Sequence, residues 1–194
     1  MSSPPFIDSI YRIHCPLGAQ IVIFLFKVQI VNGGYISAST FSSSKAGTIK
    51  VSAGSITIDR QGGEFTGILS NAIGDADNAS KTGDAGNLDI TASGVLSIVN
   101  GGGITSDTDS SGKAGTIKVS AGSITIDGQG KATGIASEAW SNADNAGKTG
   151  DAGSLDITVS GVLSIVNGGG ISSNTDSSGK AGTVKVNADS IVIR

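Results

Sequence analysis

The chain repeats itself, and no other feature of the sequence restricts its fold as much. The stretch from Gly115 to Ile126 occurs again, residue for residue, from Gly47 to Ile58, and in altered form from Gly182 to Ile193. Looser copies lie between them, from Gly86 to Ile98 and from Gly153 to Ile165. Lys45 returns as Lys113 and Lys180, a long period of 67 or 68 residues that divides into halves of 29 and of 38 or 39. Self-similarity on this scale marks a solenoid. One unit cannot bury its apolar face alone, and stacking the units closes a continuous core.

Each half-period follows one plan. A first strand alternates apolar and polar residues, placing Ile49/Val51, Leu88/Ile90, Ile117/Val119, Leu155/Ile157 and Val184/Val186 on one face. A second strand does the same with Ile56/Ile58, Leu96/Ile98, Ile124/Ile126, Leu163/Ile165 and Ile191/Ile193. A Gly-rich turn follows, then a short third strand with one apolar residue: Ile68, Ile104, Ile135 or Ile171. β-Branched residues favour strands, and Gly permits tight corners. The pattern predicts two strands of five to six residues meeting at a corner, then the third, with no helix.

The outward residues carry a second regularity. The centre of the first strand runs Lys50, Asp89, Lys118, Asp156, Lys185, so the sign of charge alternates from unit to unit. Stacked in register, each Lys lies between acids and like charges never face each other. Beside it run two polar ladders, Thr48, Asn87, Thr116, Ser154, Thr183 and Ser52, Thr91, Ser120, Thr158, Asn187. Each such surface pair contributes roughly 0.2–1 kcal/mol. The buried aliphatic residues, at about 1.5–3 kcal/mol each, supply most of the stabilisation.

Composition narrows the function classes. The 194 residues include 30 Gly and only 4% aromatic residues, and the formal net charge is −3. No basic run or aromatic platform points to nucleic acid. Cys15 is the single cysteine, so no disulfide forms within the chain, and no cysteine-based metal site. The segment Met1–Lys27 departs from the repeat, which takes over from about Val28 and runs to Arg194. Its apolar run, Ala19 to Phe26, is too short to span a bilayer. The segment fits a divergent first unit, a stretch outside the native reading frame, or an export leader lacking a small-residue cleavage pattern.

The units are joined by loops of two lengths. Eight-residue loops run from Ser39 to Ala46, Asp107 to Ala114 and Asn174 to Ala181; fifteen-residue loops run from Asn71 to Ala85 and Glu138 to Ala152. All leave from the same corner, so they form a ridge along one edge, and such insertions often mark a binding face. Within them, Gly147-Lys148-Thr149 resembles the end of a phosphate-binding loop, but Asn142 stands where that motif needs Gly, and Ser80-Lys81-Thr82 replaces it in the other long loop. The acids Asp75, Asp77, Asp84, Asp144 and Asp151, with Asn142, are oxygen donors suited to Ca²⁺, yet lack any calcium-loop spacing. Trp140 takes the place of Ile73 and reads as an anchor pinning its loop, with sugar contact as the alternative. His14, the only histidine, has no visible partner for acid–base work. The sequon Asn78-Ala79-Ser80 matters only for a secreted eukaryotic chain. No catalytic, cofactor or metal site is assigned.

The stretch from Ala114 to Ala121, with the stretch from Ile165 to Ser173, resembles the repeat region of filamentous-haemagglutinin-like exoproteins, the passengers of two-partner secretion. The resemblance spans about Val28 to Arg194. It implies an all-β fold, a right-handed parallel β-helix, here of five to six three-strand rungs. It also implies export through an outer-membrane pore partner, location at the cell surface or outside the cell, and adhesion to a glycan or a cell. The family's secretion domain, with its Asn-Pro-x-Gly-type motif, is not visible, and no polar capping rung follows Ile193-Arg194, so the chain reads as a fragment. The expected function is a structural and adhesive, non-enzymatic segment of an exported bacterial surface protein. A β-helical polysaccharide lyase or hydrolase is the main rival, and would need a non-repeated acid and base cluster on one face. An ice-binding solenoid would need a flat Thr array, which the Lys/Asp ladder interrupts.

Overall fold

The computed structural model describes residues 12–14, 18–62, 64–74, 82–140, 149–176 and 178–194. Their strands form two six-stranded parallel sheets in a solenoid-type arrangement. The first sheet stacks β2 (Gln20–Val31), β4 (Thr48–Asp59), β6 (Leu88–Val99), β8 (Ile117–Asp127), β10 (Leu155–Val166) and β12 (Val184–Ile193). The second stacks β1 (Arg12–His14), β3 (Tyr35–Ser37), β5 (Thr66–Leu69), β7 (Gly102–Thr105), β9 (Thr133–Ala136) and β11 (Gly169–Ser172). A line of single parallel bridges, Thr40–Ala72–Thr108–Ala139–Thr175, adds a further seam beyond the second sheet. No described helix is long and apolar enough to cross a membrane.

The expected corner does not break the long strands. Ile117 and Ile126 belong to one element, and pairing with β6 stops at Ala121 and resumes at Ser123. Glycine makes this passage feasible because the backbones approach closely there. A Cβ on Gly122 would lie 2.8 Å from the Gly94 carbonyl oxygen, and one on Gly161 would lie 2.9 Å from that of Gly122. The register slips at this point: Ala92 to Val95 on β6 opposes Ala121 to Ser123 on β8. The Asp-bearing strands thus carry one extra residue, a bulge that bends them.

Alternation decides the core. Ile49, Val51, Ile56, Ile58, Leu88, Ile90, Leu96, Ile98, Ile117, Val119, Ile124 and Ile126 are all buried, joined from the second sheet by Ile68, Ile104 and Ile135. Between the sheets each chain turns at a pair with positive φ: Asn32-Gly33, Gln61-Gly62, Asn100-Gly101, Gln129-Gly130 and Asn167-Gly168. A second buried ladder closes the opposite corner. Ser70, Ser106 and Ser137 donate their hydroxyls to the carbonyls of Gly47, Gly86 and Gly115 at 2.6, 2.5 and 2.6 Å. Ser173 does the same to Gly153. A Cβ on Gly115 would collide with the Gly86 carbonyl, so this seam excludes every larger residue.

The two ends of the stack differ. Pairing reaches back to Gln20, which faces Thr48, so Gln20–Lys27 stack with the repeat ahead of the boundary expected at Val28. Val28, Ile30 and Ile36 are buried there. At the other end β12 keeps the register of β10 and packs Val186 and Ala188 against the core, while Ile191 and Ile193 are 50% and 72% exposed.

Candidate binding groove

The charge ladder stacks as its sequence order suggests. Lys50, Asp89, Lys118, Asp156 and Lys185 are consecutive partners across the first sheet. The Lys50 ammonium lies 3.5 Å from Asp89. A parallel ladder runs along the loop bases, where Lys45 meets Asp84 at 3.0 Å and Lys113 meets Asp151 at 3.2 Å. Asp84 is held below the usual carboxylate range by the Lys113 backbone N–H, helped by the Lys45 ammonium and opposed by partial burial. Asp151 is lowered in the same way, first by the Lys180 N–H and then by Lys113. Two of the oxygen donors considered for calcium are therefore engaged by lysines. Asp75, Asp77, Asn142 and Asp144 lie outside the described residues, as do Lys81, Gly147, Lys148, Cys15 and the sequon at Asn78. Among the described residues no group of three or more His, Cys, Asp or Glu side chains is placed to hold a metal ion.

The second sheet presents a different outer face. Its inward residues are the single isoleucines, and the positions between them are small: Gly103 and Thr105 on β7, Gly134 and Ala136 on β9, Gly170 and Ser172 on β11. Small side chains leave a groove of about 470 Å³ that crosses the strands. The Phe65 ring lies over Gly103, within 3.4 Å of where a Cβ would stand, while nothing lies within 4 Å of that position on Gly170. Trp140 closes the loop side and is 47% exposed. Past Phe65 the depression continues as a second hollow of about 270 Å³, bordered by His14, Tyr35, Phe41 and Ile73. Past Trp140 a third, of about 100 Å³, is bordered by Glu138, Asn174 and Asp176.

Two carboxyl groups stand just past the ends of the neighbouring strands β7 and β9 along the groove. Ser39, Asn71, Asp107, Glu138 and Asn174 form a ladder in which a side chain bonds the next unit. The Asn71 N–H donates to Ser39 Oγ at 3.0 Å, the Asp107 N–H to Asn71 Oδ1 at 2.9 Å, and the Glu138 N–H to Asp107 Oδ1 at 2.8 Å. Asn174 Nδ2 then donates to Glu138 Oε1 at 3.1 Å. Burial, with the Glu138 charge adding to it, pushes Asp107 up to about 7 against the lowering effect of the Glu138 N–H. Arg60 is the cation of the groove, on the opposite, turn-side edge.

This constellation was not found in the sequence. Asp107 and Glu138 occupy positions filled by Ser or Asn in the other units, so they read as the starts of loops. Phe65 stands where the next matching unit has Ala132, and Trp140 where the preceding one has Ile73. The available signal was the departure from the repeat, taken column by column. His14 borders the second hollow beside Tyr35. No protein-family model, no curated protein and no solved structure matches the chain.

Proposed function

We propose that the chain is a structural and adhesive, non-enzymatic segment of an exported bacterial surface protein, similar to the passengers of two-partner secretion. In this reading the stack is a right-handed parallel β-helix of five to six three-strand rungs. It acts as a stiff spacer, exported through an outer-membrane pore partner and displayed at the cell surface. The contact surface is the groove on the second sheet rather than the loop ridge alone. One observation carries the reading: from β4 onward, in an array otherwise built from repeated ladders, the departures at Phe65, Asp107, Glu138 and Trp140 gather on one outward face. Substitutions that serve only stability have no reason to share a face. Beads coated with the chain are expected to attach to cells or polymer-coated surfaces, and to lose attachment with Phe65→Ala and Trp140→Ala together. Equal attachment by the double variant would remove the groove from the reading. The export half is tested by the coding region, where a secretion domain in frame or a pore gene alongside is expected.

A second reading is a polysaccharide-cleaving enzyme, favoured by Asp107 and Glu138. They are neighbouring carboxyl groups in a groove, and one is raised toward neutrality, as in acid–base pairs of glycoside hydrolysis. Release of new sugar ends from a linear polysaccharide, abolished by Asp107→Asn, would replace the adhesive reading with this one.

A further inference from the structure

We propose that the groove on the second sheet holds a linear, uncharged glycan, laid across the strands along the direction of stacking. The inference rests on the groove being the contact surface and names what it contacts. The first observation is where the aromatic residues are. The chain has five Phe, two Tyr and one Trp among 194 residues. Four of these, Tyr35, Phe41, Phe65 and Trp140, border the groove or the hollow that continues it. An aromatic ring offers an electron-rich face, and the C–H faces of sugar rings are its natural counterpart. The second observation is the floor. The Phe65 ring covers Gly103, but Gly170 puts no side chain over the sheet and nothing lies within 4 Å of where its Cβ would stand, so a flat ring can lie close to the backbone there.

Shape and charge exclude the competing occupants. From β3 to β11 the depression crosses five strands, a length of ~19 Å at the usual strand spacing. It is open along this length, which suits a chain rather than a compact ligand. An extended peptide gains most of its affinity by pairing with a free sheet edge. Here the floor is the face of a sheet whose strands already pair on both sides, β7 with β5 and β9 and β9 with β7 and β11. At neutral pH a nucleic acid or an acidic polysaccharide would meet Glu138 and a partly ionised Asp107, with Asp176 beyond Trp140, against the single cation Arg60. Like charges brought together at such a surface disfavour binding. Sugar hydroxyls instead find acceptors in the same carboxyl groups, and hydroxyl partners in Thr105 and Ser172.

Trp140 is the only Trp, so its emission reports the groove directly. The full chain is titrated with cellohexaose, with the hexamer of N-acetylglucosamine, and with hexagalacturonate. At least one of the two neutral probes is expected to shift the emission saturably, with Phe65→Ala weakening it about tenfold, or 1.4 kcal/mol. Circular dichroism of that variant should be unchanged. Hexagalacturonate is expected to give no shift. No response to either neutral probe, or equal binding of the uronate, overturns the assignment. If coated beads still attach to cells while neither neutral probe binds, the glycan falls and the contact surface stands. If a neutral probe binds equally well to the Phe65→Ala and Asp107→Asn variants, the groove itself is excluded, and both readings fall with it.

Discussion

The outer faces of the two sheets are built by one repeat and follow opposite rules. On the first sheet the units from β4 to β10 obey their columns, Lys against Asp and Ser against Thr, while β2 sets Val22 and Phe24 in the same positions. On the second sheet the columns are broken: Leu69, Thr105, Ala136 and Ser172 share one position, and Ser, Asn, Asp and Glu share another. A column that repeats is explained by the stack itself. A column that varies while the inward isoleucines beside it stay fixed answers to something outside the stack. The contrast separates residues that hold the array together from residues that face a ligand, and substitutions can test it in order of size.

The largest effect is expected inside. Ile117 is fully buried at the middle of the stack, so Ile117→Asp places a charge among Ile and Leu neighbours with no partner. The loss should reach about 4–5 kcal/mol, the range of uncompensated buried charges, and unfold the middle units in a urea or thermal melt. Wild-type stability in that variant would overturn the inward assignment. Next comes the glycine seam. Gly115→Ala forces a methyl against the Gly86 carbonyl, at a cost of about 1–3 kcal/mol in the same melt.

The third test turns on Asp107, which belongs to both sides of the contrast. Its folded value of about 7 lies above the unfolded one, so the folded chain holds the extra proton between about pH 4 and 7. Stability should fall as pH rises across that window and stay level above it. Asp107→Asn keeps an acceptor for the Glu138 N–H, as Asn71 does for the N–H of Asp107. The variant should therefore gain about 1–3 kcal/mol at pH 8 and nothing below pH 4, read from melts at several pH values. A residue that weakens the fold at neutral pH where Asn would serve better is what a site exacts. The smallest effect belongs to the regular face: Lys50→Ala removes an exposed pair and should cost less than about 0.5 kcal/mol.

The same contrast explains what the sequence discloses. The inward residues and the Lys/Asp ladder are legible because a two-residue period and a long period agree on them. Ile117 and Lys118 can be assigned opposite faces, and stacking partners, from their copies alone. The strand count at the corner is not legible, because Ala-Gly-Ser at 121–123 reads as a break. Only the strand register shows that pairing resumes past Gly122, at Ser123 with Val95. The groove is hidden for a different reason. Phe65, Asp107, Glu138 and Trp140 lie up to 75 residues apart and match no repeat, and only the stacking of β5, β7 and β9 brings their columns together.

The alternating ladders also set how such an array can change length over generations. Lys45 and Lys50 sit in one unit, Asp84 and Asp89 in the next, and the order then starts again at Lys113 and Lys118. Duplicating one unit would set lysine on lysine, or aspartate on aspartate, in two places at once. Duplicating two adjacent units leaves every contact as it was. Recombination can therefore lengthen or shorten the gene by the long period at no electrostatic cost, and single-unit products start at a disadvantage. The identity of Gly47–Ile58 and Gly115–Ile126, beside the looser match of the units between them, is the trace such copying leaves.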